Sequence, residues 1–257
     1  MTVDLAALVL AAGQGTRLRP LTFLHPKPLC PMGDTTMLDL ALARVGTSVE
    51  PDAIAVNASH LAPQIQQYLG DRVHISYELP KALGTAGAVG KLRDWLGGRD
   101  VLIANGDVVL DPEPDLDDFV AGWDRERPRL LVVSDPDRAD FDGGWRFAGV
   151  SLLPGATAAR LKAEPSGLYE AVWRDADVDL VPTDCRYVDC ADPSSYLAAN
   201  LMLSGGESIV GAGATVEGTI ERCVVWPGAK VDAGEHLVET IRARHRHGHM
   251  VTVPAPQ

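Results

Sequence analysis

The sequence predicts an α/β fold: a mostly parallel, Rossmann-like sheet with helices on both faces, followed by a short left-handed β-helix. Two observations predict it. Apolar runs alternate with helical patterns through most of the 257 residues, and the connections between them are short, which is typical of a parallel sheet covered by helices. After residue 204 the chain becomes rich in Gly, Ala and Val, with aliphatic residues six apart, which is typical of a β-helix.

The predicted elements follow one another in a βαβα order. The run "LAALVL" has no alternation of period two and is interpreted as a buried strand. The helix over 35–46 begins with Thr35 or Thr36 as its cap and stops at Gly46. The remaining predicted strands are 53–57, 72–78, 100–107 and "RLLVVS", and the remaining predicted helices are 61–70, 85–98 and "LDDFVAGWDRE".

Polar or glycine-rich stretches come at the ends of three predicted strands. "LAALVL" leads into a glycine-rich loop, "AIAVN" ends at Asn57, and "VLIANGD" ends at Asp107. Ligands of open α/β sheets bind outside the carboxyl ends of the strands. We therefore expect these three stretches on the same rim of the sheet.

The C-terminal segment predicts an appendage rather than a second large domain. Its aliphatic residues recur at six-residue spacing, as in Val225, Val231 and Leu237; a β-hairpin is the alternative. Two or three coils cannot bury their faces alone, so the segment should pack on the main domain or on a partner subunit, as in a homodimer. The predicted boundaries are a main α/β domain over 1–204, the appendage over 205–242, and a frayed tail over 243–257 with solvated histidines.

Composition excludes several classes of protein. The net charge of −12 argues against nonspecific nucleic-acid binding. No stretch of eighteen apolar residues occurs, and the first residues lack a basic region, so neither a membrane span nor a secretory signal is expected. The four cysteines form no CxxC pair and are interpreted as free thiols of a cytoplasmic protein. Residues 1–35 are locally basic, which favours a small anionic ligand.

The stretch "LVLAAGQGTRLRPLTFLHPKPL" is the first candidate phosphate site. It lacks the Walker A pattern, and Leu18 stands where a Rossmann fingerprint needs glycine. Gly13 and Gly15 let backbone N–H groups approach an anion. Arg17 can fork onto phosphate oxygens, and Lys27 adds a mobile positive charge. The alternative is a plain β-to-α turn with surface cations.

Four stretches together resemble the sugar-1-phosphate nucleotidylyltransferases. They are "AAGQGTRLRPLTFLHPKPL", "LGTAGAV" (83–89), "ANGDVVL" (104–110) and "YVDCADPSSYLAAN" (187–200). The resemblance covers nearly the whole chain, including the β-helix seen in some members of the family.

The resemblance implies a mechanism of direct displacement. The sugar-1-phosphate oxygen attacks the α-phosphorus of a nucleoside triphosphate, and pyrophosphate leaves. Asp107 and Asp189 would hold Mg²⁺, Arg17 the leaving pyrophosphate, and Lys27 the α-phosphate. Lys27 and Gly149 are the sugar-phosphate candidates, and Arg17, Lys27 and Asp107 the catalytic ones. The residues implied in nucleotide binding are Leu10, Ala11, Ala12, Gly13, Gly15, Thr16, Arg17, Leu83, Gly84, Thr85 and Gly106.

The sequence departs from the family pattern at the sugar-phosphate side. No E-K-P triplet, whose lysine grips the sugar phosphate, lies between the NGD segment and the "GVSLL" strand; Lys162 and Glu164-Pro165 come after that strand. Ala191 stands where glycine is usual, and Tyr187 where tryptophan is usual. The shortened middle resembles the N-acetylmuramate-1-phosphate uridylyltransferases.

Three functions remain open at this point. Mannose-1-phosphate with GTP is slightly favoured, because the LGTAG segment and the β-helix resemble the mannose-1-phosphate guanylyltransferases. N-acetylmuramate-1-phosphate with UTP is the second. The third is a catalytically silent subunit that binds a nucleotide or sugar nucleotide and regulates an active partner, motivated by the missing lysine.

Overall fold

The structure is a computed structural model, and it describes residues 5–256. The helices are α1 (Met37–Val45), α2 (Ala62–Leu69), α3 (Gly84–Lys91), α4 (Arg93–Leu96), α5 (Leu116–Ala121), α6 (Gly155–Ala158) and α7 (Pro193–Leu203). The strands are β1 (Leu5–Leu10), β2 (Pro31–Met32), β3 (Thr35–Thr36), β4 (Ile54–Ala58), β5 (His74–Tyr77), β6 (Asp100–Asn105), β7 (Val108–Asp111), β8 (Arg129–Ser134), β9 (Trp145–Leu153), β10 (Asp179–Pro182), β11 (Arg186–Asp189), β12 (Ile209–Val210), β13 (Thr215–Val216), β14 (Thr219–Glu221), β15 (Val224–Val225), β16 (Lys230–Val231), β17 (His236–Val238), β18 (Thr240–Arg244) and β19 (Met250–Pro254).

Contacts group the described chain into two compact units. The first unit is built from residues 5–13, 41–106 and 112–187. The second is built from residues 14–40, 107–111 and 188–256. The boundary predicted at 204/205 stays a prediction, and the predicted first domain and tail extend outside the described residues at their outer ends.

The first unit contains the central sheet, with strand order β10-β8-β9-β6-β1-β4-β5. Only β9 among these seven strands runs antiparallel to its neighbours, so the predicted mostly parallel α/β sheet is confirmed. Leu10 pairs with Asn57 on one side and Asn105 on the other. The ends of these three strands therefore share one rim, as predicted, although the third strand ends at Asn105 rather than at Asp107.

Burial explains why "LAALVL" forms an inner strand of the sheet. Leu5 to Val9 are at most 5% exposed, and residues of both strand faces are apolar, as a strand covered on both faces requires. One apolar cluster joins β1, β6 and β8 to α3 and α4, with Leu8, Ile103 and Leu130 among its members.

The four predicted helices differ from the observed ones in their bounds, and two of the differences have a local cause. The helix predicted over 35–46 begins at Met37, because Thr35 and Thr36 pair with β2; the Thr36 hydroxyl accepts the N–H of Asp39 at 3.1 Å and caps the helix. The helix predicted over 85–98 is interrupted at Leu92 and continues as α4, which ends at Gly97 in the left-handed conformation (φ +60°).

The second unit has a core of its own, which includes Leu18, Cys30, Tyr196, Trp226 and Ile241. Its last part, residues 209–254, is called the C-terminal stack below. Short strands there stack in parallel as β12-β15-β18, β13-β16 and β14-β17. The left-handed β-helix predicted for this segment stays a prediction.

The aliphatic residues with six-residue spacing have different environments in the stack. Val225 and Val231 are buried, Val216 and Leu237 pack partly against them, and Val210 is 47% exposed. Successive strands repeat after 15 residues, as in Ile209 to Val224, and then after 17, as in Val224 to Ile241. The six-residue spacing therefore applies to neighbouring strands along the chain, but the distance in sequence between strands that pair in the stack is not a multiple of six.

The prediction of a frayed C-terminal tail is wrong. Met250–Pro254 pairs antiparallel with Thr240–Arg244, and Val253 and Ala255 are buried in the core of the second unit. The apolar residues Met250, Val251 and Val253 supply the burial that the tail composition did not suggest. The histidines 245, 247 and 249 lie in the connecting turn, where the ring of His245 stacks on that of His249 and is tilted against that of His247.

No helix within residues 5–256 combines the length and hydrophobicity needed to cross a membrane.

Candidate active site

The glycine-rich loop after β1 contains one glycine that no other residue could replace without a clash. Gly15 has φ +59°, and a Cβ there would lie 2.8 Å from Thr22 Cγ2 and 3.0 Å from Lys27 Cβ. Its carbonyl also accepts the Thr22 hydroxyl at 2.8 Å. Gly15 therefore lets the loop pack directly against Lys27, the predicted phosphate-binding lysine.

The second unit brings Lys27, Asp107 and Asp189 together. Lys27 Nζ lies 2.6 Å from Asp107 Oδ2 and 3.7 Å from Asp189 Oδ1, and the lysine side chain is 9% exposed. Burial alone would lower the pKa of Lys27, but the charge of Asp107, its hydrogen bond and the charge of Asp189 outweigh burial and raise that pKa. The ammonium therefore stays charged at neutral pH.

The two carboxylates are also connected through the backbone. The N–H of Cys190, the residue after Asp189, donates to the carbonyl of Asp107 at 3.0 Å, and β7 pairs with β11. Asp107 precedes β7 and Asp189 ends β11, so the sheet pairing sets the two side chains beside each other.

This donor set fits a magnesium ion. Two carboxylates converge on one cationic group, the ammonium of Lys27, and carboxylate oxygens are the ligands that Mg²⁺ takes from proteins, together with phosphate oxygens and water. No group of three or more His, Cys, Asp or Glu side chains with metal-binding geometry occurs within residues 5–256. Asp107 and Asp189 are thus a two-carboxylate set rather than a closed protein cage.

Arg17 lies in the same unit but is exposed. The backbone N–H of Ser195 holds the pKa of Asp192 below its usual value, and the charge of Arg17 contributes to the same shift. Arg17 is therefore near the start of α7, where Asp192 and Ser195 form a capping box.

The first unit holds a buried network that the sequence analysis missed. Asn57 Oδ1 accepts the N–H of Ala11 at 2.6 Å, and Asn57 Nδ2 donates to Glu78 Oε1 at 2.8 Å. Glu78 Oε2 accepts the N–H of Leu83 at 2.6 Å. Asn57 and Glu78 are 3% and 1% exposed. The network fixes the main chain at Ala11 and Leu83, two of the predicted nucleotide-binding positions.

A signal for this network is present in the sequence. Asn57 stands out as a polar residue at a strand end, whereas Glu78 falls within the predicted strand 72–78 and has no role there. In the structure Glu78 follows β5 directly. A carboxylate next to the end of a parallel strand lies on the ligand-binding rim, and this position could have identified it.

The glycines of "LGTAGAVG" allow the backbone of another segment to pack closely against α3. A Cβ on Gly84 would lie 2.5 Å from the carbonyl oxygen of Ser166, and one on Gly87 would lie 2.3 Å from that of Glu164. Gly90 meets the backbone of Lys162 in the same way. The segment 162–166 thus lies directly on the glycine face of α3. Lys162 and Glu164, which did not match the family triplet in order, are part of this contact.

The other predicted positions of the first unit have defined roles in the backbone. The Thr85 hydroxyl accepts the N–H of Leu168 at 2.7 Å. A Cβ on Gly106 would lie 2.7 Å from the carbonyl oxygen of Leu10, whose oxygen accepts the Gly106 N–H. Gly149 adopts φ +83° within β9 and is buried. Ala12 is buried and Gly13 is exposed.

A cavity of about 210 Å³ lies in the first unit. It is bordered by aromatic rings of Phe147, Tyr169 and Trp173 and by the polar side chains of Asn105 and Glu170. Ser151 also lines it, is 1% exposed, and has a hydroxyl oxygen with no hydrogen-bond partner in the described structure. A buried hydroxyl without a partner is costly unless something that enters the cavity satisfies it.

The comparisons with known proteins establish the family. The nucleotidyl transferase family model matches residues 6–137, which is half of the chain. The protein belongs to the nucleotidyl transferase family.

Individual relatives have more specific names. The chain is 38% identical over 111 residues to an N-acetylmuramate alpha-1-phosphate uridylyltransferase of Neisseria meningitidis, which covers 41% of this chain and 48% of that protein. It is 27% identical over 236 residues to a mannose-1-phosphate guanyltransferase of Aspergillus oryzae, which covers 76% of this chain and 63% of that protein. The matches span about half the length of two such uridylyltransferases, that of Neisseria meningitidis and one of Caulobacter vibrioides.

Solved structures share the fold. A structure described as a mannose-1-phosphate geranyltransferase from Thermus thermophilus superposes with a TM-score of 0.74 at 18% identity, over 98% of this chain and 95% of that one. HddC from Yersinia pseudotuberculosis, complexed with GMP-PN, gives a TM-score of 0.65 at 18% identity, over 77% of this chain and 99% of that one. At this identity the likeness concerns the fold alone.

Proposed function

We propose that the protein transfers a nucleoside monophosphate from a nucleoside triphosphate to a sugar-1-phosphate. An oxygen of the sugar-1-phosphate forms a bond to the α-phosphorus, the bond from that phosphorus to the bridging oxygen breaks, and pyrophosphate leaves. The observation that carries the proposal is the cluster of Lys27, Asp107 and Asp189. A reaction of this kind needs positioning and charge neutralisation more than a covalent nucleophile.

The residues of the second unit would act on the phosphates. Asp107 and Asp189 would hold Mg²⁺, which would supply neutralisation of charge on the reacting phosphates. Lys27 then exchanges a carboxylate partner for the α-phosphate or for the sugar phosphate. Arg17, being exposed, is free to fold onto the leaving pyrophosphate.

The residues of the first unit would bind the nucleotide through the main chain. Asn57 and Glu78 fix the N–H groups of Ala11 and Leu83, which supports nucleotide binding at Leu10–Gly13, Leu83–Thr85 and Gly106. The remaining candidates, Gly15 and Thr16, lie in the second unit.

The acceptor sugar would occupy the cavity bordered by Phe147, Tyr169 and Trp173. Aromatic faces with a few polar groups are typical of small-molecule sites. We expect the Ser151 hydroxyl to bond a hydroxyl of the sugar. Ser151→Ala should then raise the KM of the sugar-1-phosphate about 3- to 10-fold, leave the KM of the triphosphate unchanged, and leave the melting temperature unchanged or higher. Equal KM values for both substrates in variant and parent would refute this placement.

Mannose-1-phosphate with GTP remains the favoured pair. It is supported by the relatives named for mannose-1-phosphate, which match over 76% of this chain. N-acetylmuramate-1-phosphate with UTP is the second candidate, supported by the higher identity of the uridylyltransferases over a shorter part of the chain.

One assay tests both. The protein is mixed with Mg²⁺, each nucleoside triphosphate and a panel of sugar-1-phosphates, and pyrophosphate release is followed. Release with one preferred pair supports an enzyme and identifies its substrates. Nucleotide binding without release for any pair would instead support the silent regulatory subunit.

Further expectations accompany this function. The C-terminal stack is proposed to be a short left-handed β-helix, with its open first strands β12, β13 and β14 as the face that joins a second copy. Light scattering coupled to size exclusion tests the homodimer.

A cytoplasmic location is proposed on the basis of four cysteines, all of them without a disulfide.

A further inference from the structure

The segment that carries Lys27 is short and has little regular structure of its own. Lys27–Leu29 forms a single 3₁₀ turn, closed by the Leu29 N–H on the Pro26 carbonyl at 2.8 Å and the Cys30 N–H on the Lys27 carbonyl at 3.0 Å. One such turn is marginal in isolation. The place of the ammonium between the two carboxylates must therefore be set by what packs against this segment.

The C-terminal stack packs against it through Trp226. The indole is 3% exposed, and its ring centroid lies 5.6 Å from that of His25, two residues before Lys27. Its Nε1–H donates to the hydroxyl oxygen of Tyr196 at 3.0 Å. Trp226 itself is fixed by its backbone, since its N–H donates to the Arg242 carbonyl at 2.8 Å.

Tyr196 extends the contact to the other side of the lysine. It lies on α7 with no exposed surface, and its hydroxyl donates to the carbonyl oxygen of Pro31, four residues after Lys27. Burial raises the pKa of Tyr196 well above its usual value, so the phenol keeps the proton that it donates. A hydroxyl that accepts from an indole while it donates to a carbonyl is a better donor than an isolated one.

A second residue of α7 supports the same side. Asn200, one helical turn after Tyr196, accepts the Gly33 N–H on its Oδ1 at 3.3 Å and donates to the Tyr196 carbonyl at 3.0 Å. The helix begins shortly after Asp189, the last residue of β11. The same helix thus follows one carboxylate of the cluster and holds the backbone that carries the lysine.

We propose that Trp226 and Tyr196 are positioning residues for Lys27, so that the C-terminal stack is a working part of the phosphate site. The indole holds the segment at His25, and the indole–phenol–carbonyl chain holds it at Pro31. The catalytic consequence rests on the proposed nucleotidyl transfer; the structural consequence, order at residues 27–33, does not.

The test compares Trp226→Phe and Tyr196→Phe with a matched control, Trp123→Phe. The first variant keeps an aromatic ring against His25 but has no indole N–H, and the second lacks only the phenol hydroxyl. Trp123 is also nearly buried and donates its indole N–H to a carbonyl, that of Arg127 at 2.6 Å, but it belongs to the first unit. Trp226→Phe and Trp123→Phe therefore each lose one indole hydrogen bond at different places, and Tyr196→Phe loses both hydrogen bonds of the phenol hydroxyl.

Hydrogen exchange is the readout that does not depend on activity. In the Trp226 and Tyr196 variants, the amides of Leu29, Cys30 and Gly33 should exchange about 3- to 10-fold faster, as the loss of a net hydrogen bond implies. They should be unchanged in Trp123→Phe. If exchange rises instead only at amides of the stack, such as those of Ile209 and Gly211, Trp226 is merely a core residue of the stack and the proposal is wrong.

Kinetics give the second readout. We expect kcat to fall about 3- to 10-fold in Trp226→Phe and Tyr196→Phe, with a smaller change in the KM of the triphosphate, and both constants to stay at parental values in Trp123→Phe. A fall that is equal in all three variants, or absent in the first two, would overturn the positioning role. If the parent protein turns over no substrate pair, the proposed function fails, and exchange alone decides the present proposal.

Discussion

The two compact units carry candidate functional residues of opposite kinds. In the first unit, the candidate binding residues act through the main chain, whose position is fixed where the N–H groups of Ala11 and Leu83 donate to the buried side chains of Asn57 and Glu78. In the second unit, the functional atoms are charged side-chain ends, such as those of Lys27 and Asp107. A main-chain site depends on the shape of the backbone, whereas a side-chain site depends on the balance of charges.

This difference predicts how each region should respond to substitution. A change in the second unit can abolish charge compensation while the fold stays intact, because the carboxylates are about one-third exposed. A change in the first unit should reduce stability and ligand binding together, because the same hydrogen bonds serve both.

The largest effect is expected for Asp107→Asn. The substitution removes one of two carboxylates from the cluster while keeping its size, so the metal and the lysine lose a charged partner. We expect kcat/KM to fall about 10²- to 10³-fold, corresponding to about 3–4 kcal/mol, with a melting temperature close to that of the parent. Pyrophosphate release at saturating Mg²⁺ measures kcat/KM, and calorimetry measures the melting temperature.

Asp184→Asn is the matched control for this prediction. Asp184 is exposed, and the change in net charge is the same. It should leave turnover unaltered. Full activity in Asp107→Asn would contradict the role of Asp107 as a metal ligand. It would also remove the proposed difference in how the two units respond to substitution.

An intermediate effect is expected for Glu78→Gln. The carboxylate accepts from both Asn57 and Leu83, whereas an amide accepts with only one of its two end atoms. One buried donor is left unsatisfied, which should cost about 1.5–3 kcal/mol of unfolding free energy. Urea unfolding measures this, and calorimetric titration should show weaker nucleotide binding in parallel.

Glu50→Gln serves as its control, because Glu50 is an exposed glutamate of the same unit. It should change neither quantity. If Glu78→Gln lowered stability but left nucleotide binding at the parental level, the network would be structural only, and the contrast between the two units would be weaker than proposed.

The smallest effect is expected for Gly87→Ala. The new methyl carbon would lie 2.3 Å from the carbonyl oxygen of Glu164, so one of the two has to shift. Overpacking of this kind costs about 1–3 kcal/mol, and the better helix propensity of alanine returns up to about 1 kcal/mol, so we expect a net loss of about 1–2 kcal/mol by urea unfolding.

Gly13→Ala gives the opposite pattern and completes the comparison. A Cβ on Gly13 has open space around it, so stability should stay at the parental value while triphosphate binding weakens, because the methyl lies where an anion would approach. If both glycine variants lost stability alone, the loop after β1 would be an ordinary turn.

Much of the site was predictable from the sequence, because its residues come directly after strands. The run "LAALVL" and the positions of Asn57 and Asp107 predicted three strand ends on one rim. The register of Leu10 with Asn57 and Asn105 confirms the shared rim, although the third strand ends at Asn105. The tail after residue 243 was not predictable in this way. Its strand Met250–Pro254 is stabilised by pairing with β18 rather than by its own pattern, and pairing of that kind is a tertiary property.

The sequence by itself determined the α/β class, the glycine-rich loop and the identity of Lys27, Asp107 and Asp189 as candidate phosphate and metal residues, because local patterns of apolar residues and charges encode these features. Only the tertiary structure decided which partners hold them. Glu78 lies 21 residues from Asn57 in the chain, and Trp226 lies 30 residues from Tyr196. Such contacts between distant positions depend on how the whole chain packs, which no local pattern specifies.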